Sequence, residues 1–256
     1  SSDRAANFTG TIKKVVISAG EGSLKVSGAA AGVNAKGRAC ASAESMLSRI
    51  TLESRREGDI VYLTVAIASG GMGSMFSFNK YASLDLDITV PRTAQLNITD
   101  TSGDIELSDV GPTDIVDDSG DLLLKNINGN LNVTDESGEL RIISVAGKVT
   151  VKDSSGSIDI EDVKGDVQIA FDSSGDISIV KVTGDVDVMG DFSLLQGGGG
   201  IFNNGGTVSI ANTTIQKPRT THLVRRPLGR LAIRRTPLIT LPAVTAHTAG
   251  HHPPCR

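Results

Sequence analysis

The chain has 256 residues, 39% of them apolar and 3% aromatic, with no Trp and 29 glycines, so its core is built from Ile, Val and Leu in spaces too narrow for rings. Its net charge of −4 is unevenly spread: residues 217–256 carry eight Lys and Arg and no acid, leaving residues 1–216 with 17 bases against 29 acids, about −12. An acidic body argues against a nucleic-acid partner, and with no run of 18 apolar residues no segment reads as a membrane span.

Residues 1–100 alternate apolar and polar side chains, the mark of strands. The chain opens on Ser, as it would after removal of a signal peptide or after trimming. Gly22-Ser23-Leu24-Lys25-Val26 sets a glycine before two alternating apolar residues. Cys40 and the distant Cys255 define no disulfide framework. Residues 50–52 and 59–65 read as strands joined by a charged loop through Arg55, Arg56 and Glu57. The stretch 69–80, rich in Gly, Met and Phe, reads as a loop covering the open end of a core. A last strand, residues 84–90, stops at Pro91.

From Ser102 the chain repeats. Ser-Gly recurs at Ser102, Ser119, Ser137, Ser155 and Ser174, spaced by 17, 18, 18 and 19 residues, and a second series, Gly111, Gly129, Gly147, Gly165 and Gly184, falls midway. The repeat glycines are therefore Gly103, Gly120, Gly138, Gly156 and Gly175. Two and four residues after each stand Ile or Leu, and seven after stands Val or Ile; the second series is followed by the same alternation, with Thr113 and Ile115 as its weakest copy. Two strands per period mean that each coil feeds two sheets, with equivalent strands stacked in parallel about 4.8 Å apart. A left-handed triangular coil needs a six-residue period, which these offsets lack. Right-handed winding follows from the general crossover rule. Asp, Asn and Ser around each Ser-Gly read as one turn repeated, with the Ser pointing inward.

After Val188 an insertion, residues 197–206, precedes a final rung of Val208 and Ile210. Beyond residue 216 the repeat is lost, and residues 217–256 read as a disordered basic tail. That tail holds all four histidines, and in it His251 and His252 lie near Cys255.

Catalytic chemistry finds little support. The repeats contain no histidine for a base or a triad, and no phosphate-binding loop. No cofactor is expected. The acids form ladders in the turns. Of these Asp118, Asp135, Asp153 and Asp172 are the calcium candidates, since stacked carboxylates repel and calcium takes oxygen ligands. The Gly-Gly-x-Gly-x-Asp pattern of calcium rolls is absent.

The run Asp85-Leu86-Asp87-Ile88-Thr89-Val90-Pro91, then Leu96-Asn97-Ile98 and Ser102-Gly103-Asp104-Ile105, followed by alternating Ser-Gly and Gly-Asp-Val units, resembles the bacterial adhesin-like DUF4097 group over about residues 10–215. The resemblance implies an envelope-associated or secreted β-solenoid with no established catalytic residues.

These readings predict an all-β parallel solenoid (β-helix or β-roll) with coils of about 18 residues and two main sheets. Residues 1–100 form a β capping region continuous with the stack, residues 101–216 the regular coils, and residues 217–256 the tail. The expected role is a non-enzymatic adhesin-like binding or structural protein, periplasmic, on the cell surface or secreted. Its partner is a protein or a glycan. A calcium-stabilised solenoid and a polysaccharide-active enzyme are the alternatives.

Overall fold

The computed structural model describes residues 1–68, 81–189, 201–203 and 208–211. The loop 69–80, most of the insertion 197–206 and the tail 217–256, with His251, His252 and Cys255, lie outside the described residues. The described strands begin with β1 (Ser2–Phe8), β2 (Lys14–Ser18), β3 (Leu24–Ala29) and β4 (Val33–Ala41). A single turn of helix, α1 (Glu44–Leu47), leads to β5 (Ile50–Glu57), β6 (Ile60–Ile67), β7 (Ala82–Pro91) and β8 (Gln95–Asp100). The regular coils follow as β9 (Ile105–Ser108), β10 (Thr113–Asp117), β11 (Leu122–Ile127), β12 (Leu131–Asp135), β13 (Gly138–Val145) and β14 (Val149–Asp153). They continue through β15 (Gly156–Val163), β16 (Val167–Phe171), β17 (Ile177–Val182), β18 (Val186–Met189), β19 (Ile201–Asn203) and β20 (Val208–Ala211).

These strands build two sheets of ten. One runs β1-β4-β7-β3-β9-β11-β13-β15-β17-β19, the other β5-β6-β2-β8-β10-β12-β14-β16-β18-β20. From β8 onward successive coils pair in parallel, Leu122 beside Leu140 and Leu140 beside Ile158, as the period predicts. The alternating aliphatic side chains of both sheets, Ile142, Val151, Ile160 and Ile169 among them, are fully buried between the sheets. The residues seven beyond each repeat glycine, from Val110 to Val182, close the core at one corner. Thr113, the weak copy, is buried too; its hydroxyl donates to the carbonyl of Gly111 at 2.9 Å.

Coil-length differences are absorbed locally. The 19-residue coil places its extra residue at Ala170, where the pairing of β14 with β16 steps from Val151–Ile169 to Lys152–Phe171. The glycines mark where the backbones of neighbouring coils nearly touch. At Gly120, φ is 137° and a Cβ would lie 2.0 Å from the Gly103 carbonyl oxygen.

The first part of the chain is less regular than the repeats. The rung formed by β2 and β3 is inserted between two later ones: β2 lies between β6 and β8, and β3 between β7 and β9. Strands β1 and β4 run antiparallel at the end of the first sheet, and β5 pairs antiparallel with β6 at the end of the second. The expected charged loop at Arg55, Arg56 and Glu57 is instead strand. Arg55 lies opposite Tyr62 with its guanidinium 3.8 Å from the ring centre, and the turn is confined to Gly58 and Asp59. The repeat serines do not point inward either. Ser119, Ser137 and Ser155 are half-buried and donate their hydroxyls to carbonyls one coil away, at 3.2, 3.4 and 3.1 Å.

Candidate functional site

Two columns of polar side chains run along the stack, one outside and one inside. The outer column sits six residues after each repeat glycine, at Asp109, Asn126, Ser144, Asp162 and Lys181. All five have left-handed φ between 54° and 61°. Asp and Asn tolerate that conformation, whereas Ser and Lys rarely adopt it. The left-handed residue bends the chain so that the next side chain enters the core while its own stays outside. Asn126 Nδ2 donates to Asp109 Oδ1 at 3.3 Å, and Ser144 Oγ to Asp162 Oδ2 at 2.8 Å, so neighbouring coils are linked along the column. With Arg92 and Lys164 these side chains line an open groove of about 380 Å³ across several coils.

The inner column lies three residues before each repeat glycine, at Asp100, Asp117, Asp135, Asp153 and Asp172, each no more than 1% exposed. Asp117 pairs in register with Asp100 and Asp135, and Asp135 with Asp153; the bulge at Ala170 keeps Asp172 in line. One oxygen of Asp135, Asp153 and Asp172 accepts the backbone N–H two residues on, at 3.1–3.2 Å, closing the turn, and their Oδ2 atoms are buried without a partner. In Asp100 and Asp117 both oxygens are unpartnered. The nearby N–H groups draw their pKa down without meeting hydrogen-bond geometry.

Burial is the largest influence on all five. It pushes Asp100 and Asp135 up to about 7, Asp117 and Asp172 up to about 6, and raises Asp153 as well. Neighbouring carboxyls add to it: Asp117 acts on Asp100 and Asp135, and Asp153 on Asp135 and Asp172. Two full charges one rung apart would repel by roughly 3–4 kcal/mol at an effective dielectric of about 20.

The calcium candidates divide between these environments. Asp135, Asp153 and Asp172 belong to the inner column, but Asp118 is exposed. The aligned residue is its neighbour Asp117. Two adjacent acids before Ser119 hide this register, and counting back three from every repeat glycine recovers it and adds Asp100. Among the described residues no three His, Cys, Asp or Glu side chains are grouped to hold a metal ion. The acids that follow the repeat glycines help to join the coils. Asp104 and Asp121 accept the N–H of the next coil, at 3.2 and 2.9 Å. Along the outer faces of the sheets, pairs such as Lys25–Glu106 and Arg141–Asp159 alternate in sign. Among the described residues no helix is long and apolar enough to cross a membrane.

The fold and its columns define a two-sheet parallel β-solenoid closed at one end by antiparallel strands. Residues 13–191 match the Toastrack DUF4097 family, and the chain belongs to it. It is similar to the solved structure of a candidate adhesin from Bacteroides fragilis, at 12% identity, 82% of this chain, 97% of that one and a TM-score of 0.48. A candidate cell adhesion protein from Clostridium sporogenes shares 12% identity over 84% and 98% of the two chains, with a TM-score of 0.27. A candidate lipid-binding protein from Parabacteroides distasonis shares 10% identity over 84% and 97%, with a TM-score of 0.34. No curated protein matches the chain. At this distance no function transfers.

Proposed function

We propose that the chain is a non-enzymatic binding protein of the periplasm, cell surface or exterior, with the corner groove as its contact face and a glycan as its partner. The carrying observation is the groove itself. Asp109, Asn126, Ser144 and Asp162 repeat at the rung spacing between Arg92 and Lys164, offering donors, acceptors and both signs of charge. A hydroxyl-rich polymer presents matching donors and acceptors at regular intervals, and a solenoid's strength is an extended face of this kind. A lipid surface is less well matched. The large apolar side chains most exposed among the described residues, Tyr81, Val116 and Phe171, are scattered rather than gathered in a patch. The location rests on what the family resemblance implies.

The test is a glycan array with a parallel pull-down from envelope extracts, using the natural chain and two variants that fill the groove, Asn126→Lys and Ser144→Arg. Binding to uncharged or mixed-charge glycans should weaken by about tenfold or more in the variants, equivalent to about 1.4 kcal/mol. Binding that ignores both substitutions would remove the groove as the contact face. Capture of a protein with no glycan bound would replace the partner class.

A further inference from the structure

We infer that the five buried aspartates form a proton-holding ladder: they fold as carboxylic acids hydrogen-bonded from rung to rung, and charging them as pH rises loosens the solenoid. Their geometry leads here. Five carboxyls stand in line at successive rungs, and each has at least one buried oxygen without a partner. A buried carboxylate oxygen with no donor is costly, whereas a protonated one becomes a donor itself. The rung spacing of about 4.8 Å matches the width of one carboxyl plus one O–H···O bond of about 2.7 Å, so the five stacked carboxyls leave four gaps that such bonds can span.

Among the described residues nothing facing the column supplies positive charge. The opposite sheet presents Ile105, Leu122, Leu140, Ile158 and Ile177 to the interior. From the turn, Asp118 raises Asp100 and Asp117, and Asp104 raises Asp117. Glu136, Asp121, Glu139 and Asp176 stand on the same turn, and Lys152, before Asp153, is exposed on the outer face. Below Asp100 the column ends on Ala19, the neighbour of Ser18, which pairs with Thr99.

An aspartate in the unfolded chain titrates near 3.9. With the folded values raised to about 6–7, the folded chain holds more protons than the unfolded one between about pH 4 and pH 7. Stability is therefore fully present below about pH 4 and is lost as pH rises through the folded values.

Thermal melting of the full chain in metal-free buffer tests this. The melting temperature should fall by about 5 °C or more from pH 5 to pH 8. The double variant Asp135→Asn with Asp153→Asn should melt above the natural chain at pH 8 and show a shallower pH slope, because an amide needs no proton to donate. Glu53→Gln, on the distant β5, should keep the natural slope. The four histidines are common to the natural chain and its variants, so they cannot account for a difference in slope between them. If the double variant does not fold, carbon-13 NMR of the natural chain should find several aspartate carboxyls titrating above about pH 5.5. A flat melting profile, an unchanged slope in the folded Asn variant, or aspartates that all titrate at ordinary values would overturn the ladder. So would a rise in melting temperature at pH 8 with millimolar calcium that EDTA reverses, which would assign the column to cations.

Discussion

At Gly120 two demands meet that are usually separate. Its φ of 137° disfavours a side chain, and the carbonyl of Gly103 occupies the place where a Cβ would stand. Gly58 meets only the first: φ is 60°, with open space around the missing Cβ. Gly120→Ala should therefore cost roughly 3 kcal/mol or more, because two coils must part, and Gly58→Ala about 1 kcal/mol. Urea unfolding of both variants decides it; equal losses would mean that conformation alone selects the glycines. The Ser-Gly rhythm was legible in the sequence because each coil repeats the same close approach. The second glycine series includes a position chosen on other grounds. Gly165 lacks a left-handed φ, and its Cβ would meet the Gly147 carbonyl at 2.5 Å, so crowding alone demands glycine there. The inner aspartates were harder to read, since Asp before a turn has the same spelling whether it is solvated or buried.

Each regular strand puts alternate residues inside, so any insertion must be bulged out or the strand turns over. In β16 the order Val167, Gln168, Ile169, Ala170, Phe171 carries one residue more than β14 opposite it, and Ala170 takes up the difference. Deleting Ala170 leaves Val167, Ile169 and Asp172 on the inner face and should shift the melting temperature by only about 3 °C, the effect of roughly 1 kcal/mol. Deleting Gln168 instead forces Ile169 outward and Ala170 inward to keep Asp172 in place. That loss should approach the roughly 2–5 kcal/mol of a buried Ile→Ala change. Two deletions with the same effect would show that the stack does not hold its register. At this scale the alternation of apolar residues was legible throughout the coils. The strand through Arg55, Arg56 and Glu57 was not, because its outer face is charged and its pairing with Tyr62 and Val61 appears only once the hairpin is closed.

The rung of β2 and β3 ties the molecule together, for it touches β8 and β9 across about 80 residues of chain. Nothing local in residues 14–29 announces such a partner. A parallel pairing over that distance leaves no trace in the alternation of either strand, so the sequence read as a β capping region continuous with the stack, with no sign of the inserted rung. The strands before Gln95 thus cover that end of both sheets. A fragment starting at Gln95 would keep every regular coil yet present β8 and β9 as bare parallel edges, with Leu96, Ile98, Ile105 and Leu107 uncovered on one side. Unpaired edges over an opened aliphatic core recruit other strands, most readily those of a second copy. The fragment should therefore run as dimers or larger species in size-exclusion chromatography with light scattering, where the full chain is expected to show no association through this end. A monomeric fragment that melts like the full chain would mean that the coils above β8 stand without that cover, and that the inserted rung contributes to something other than closure.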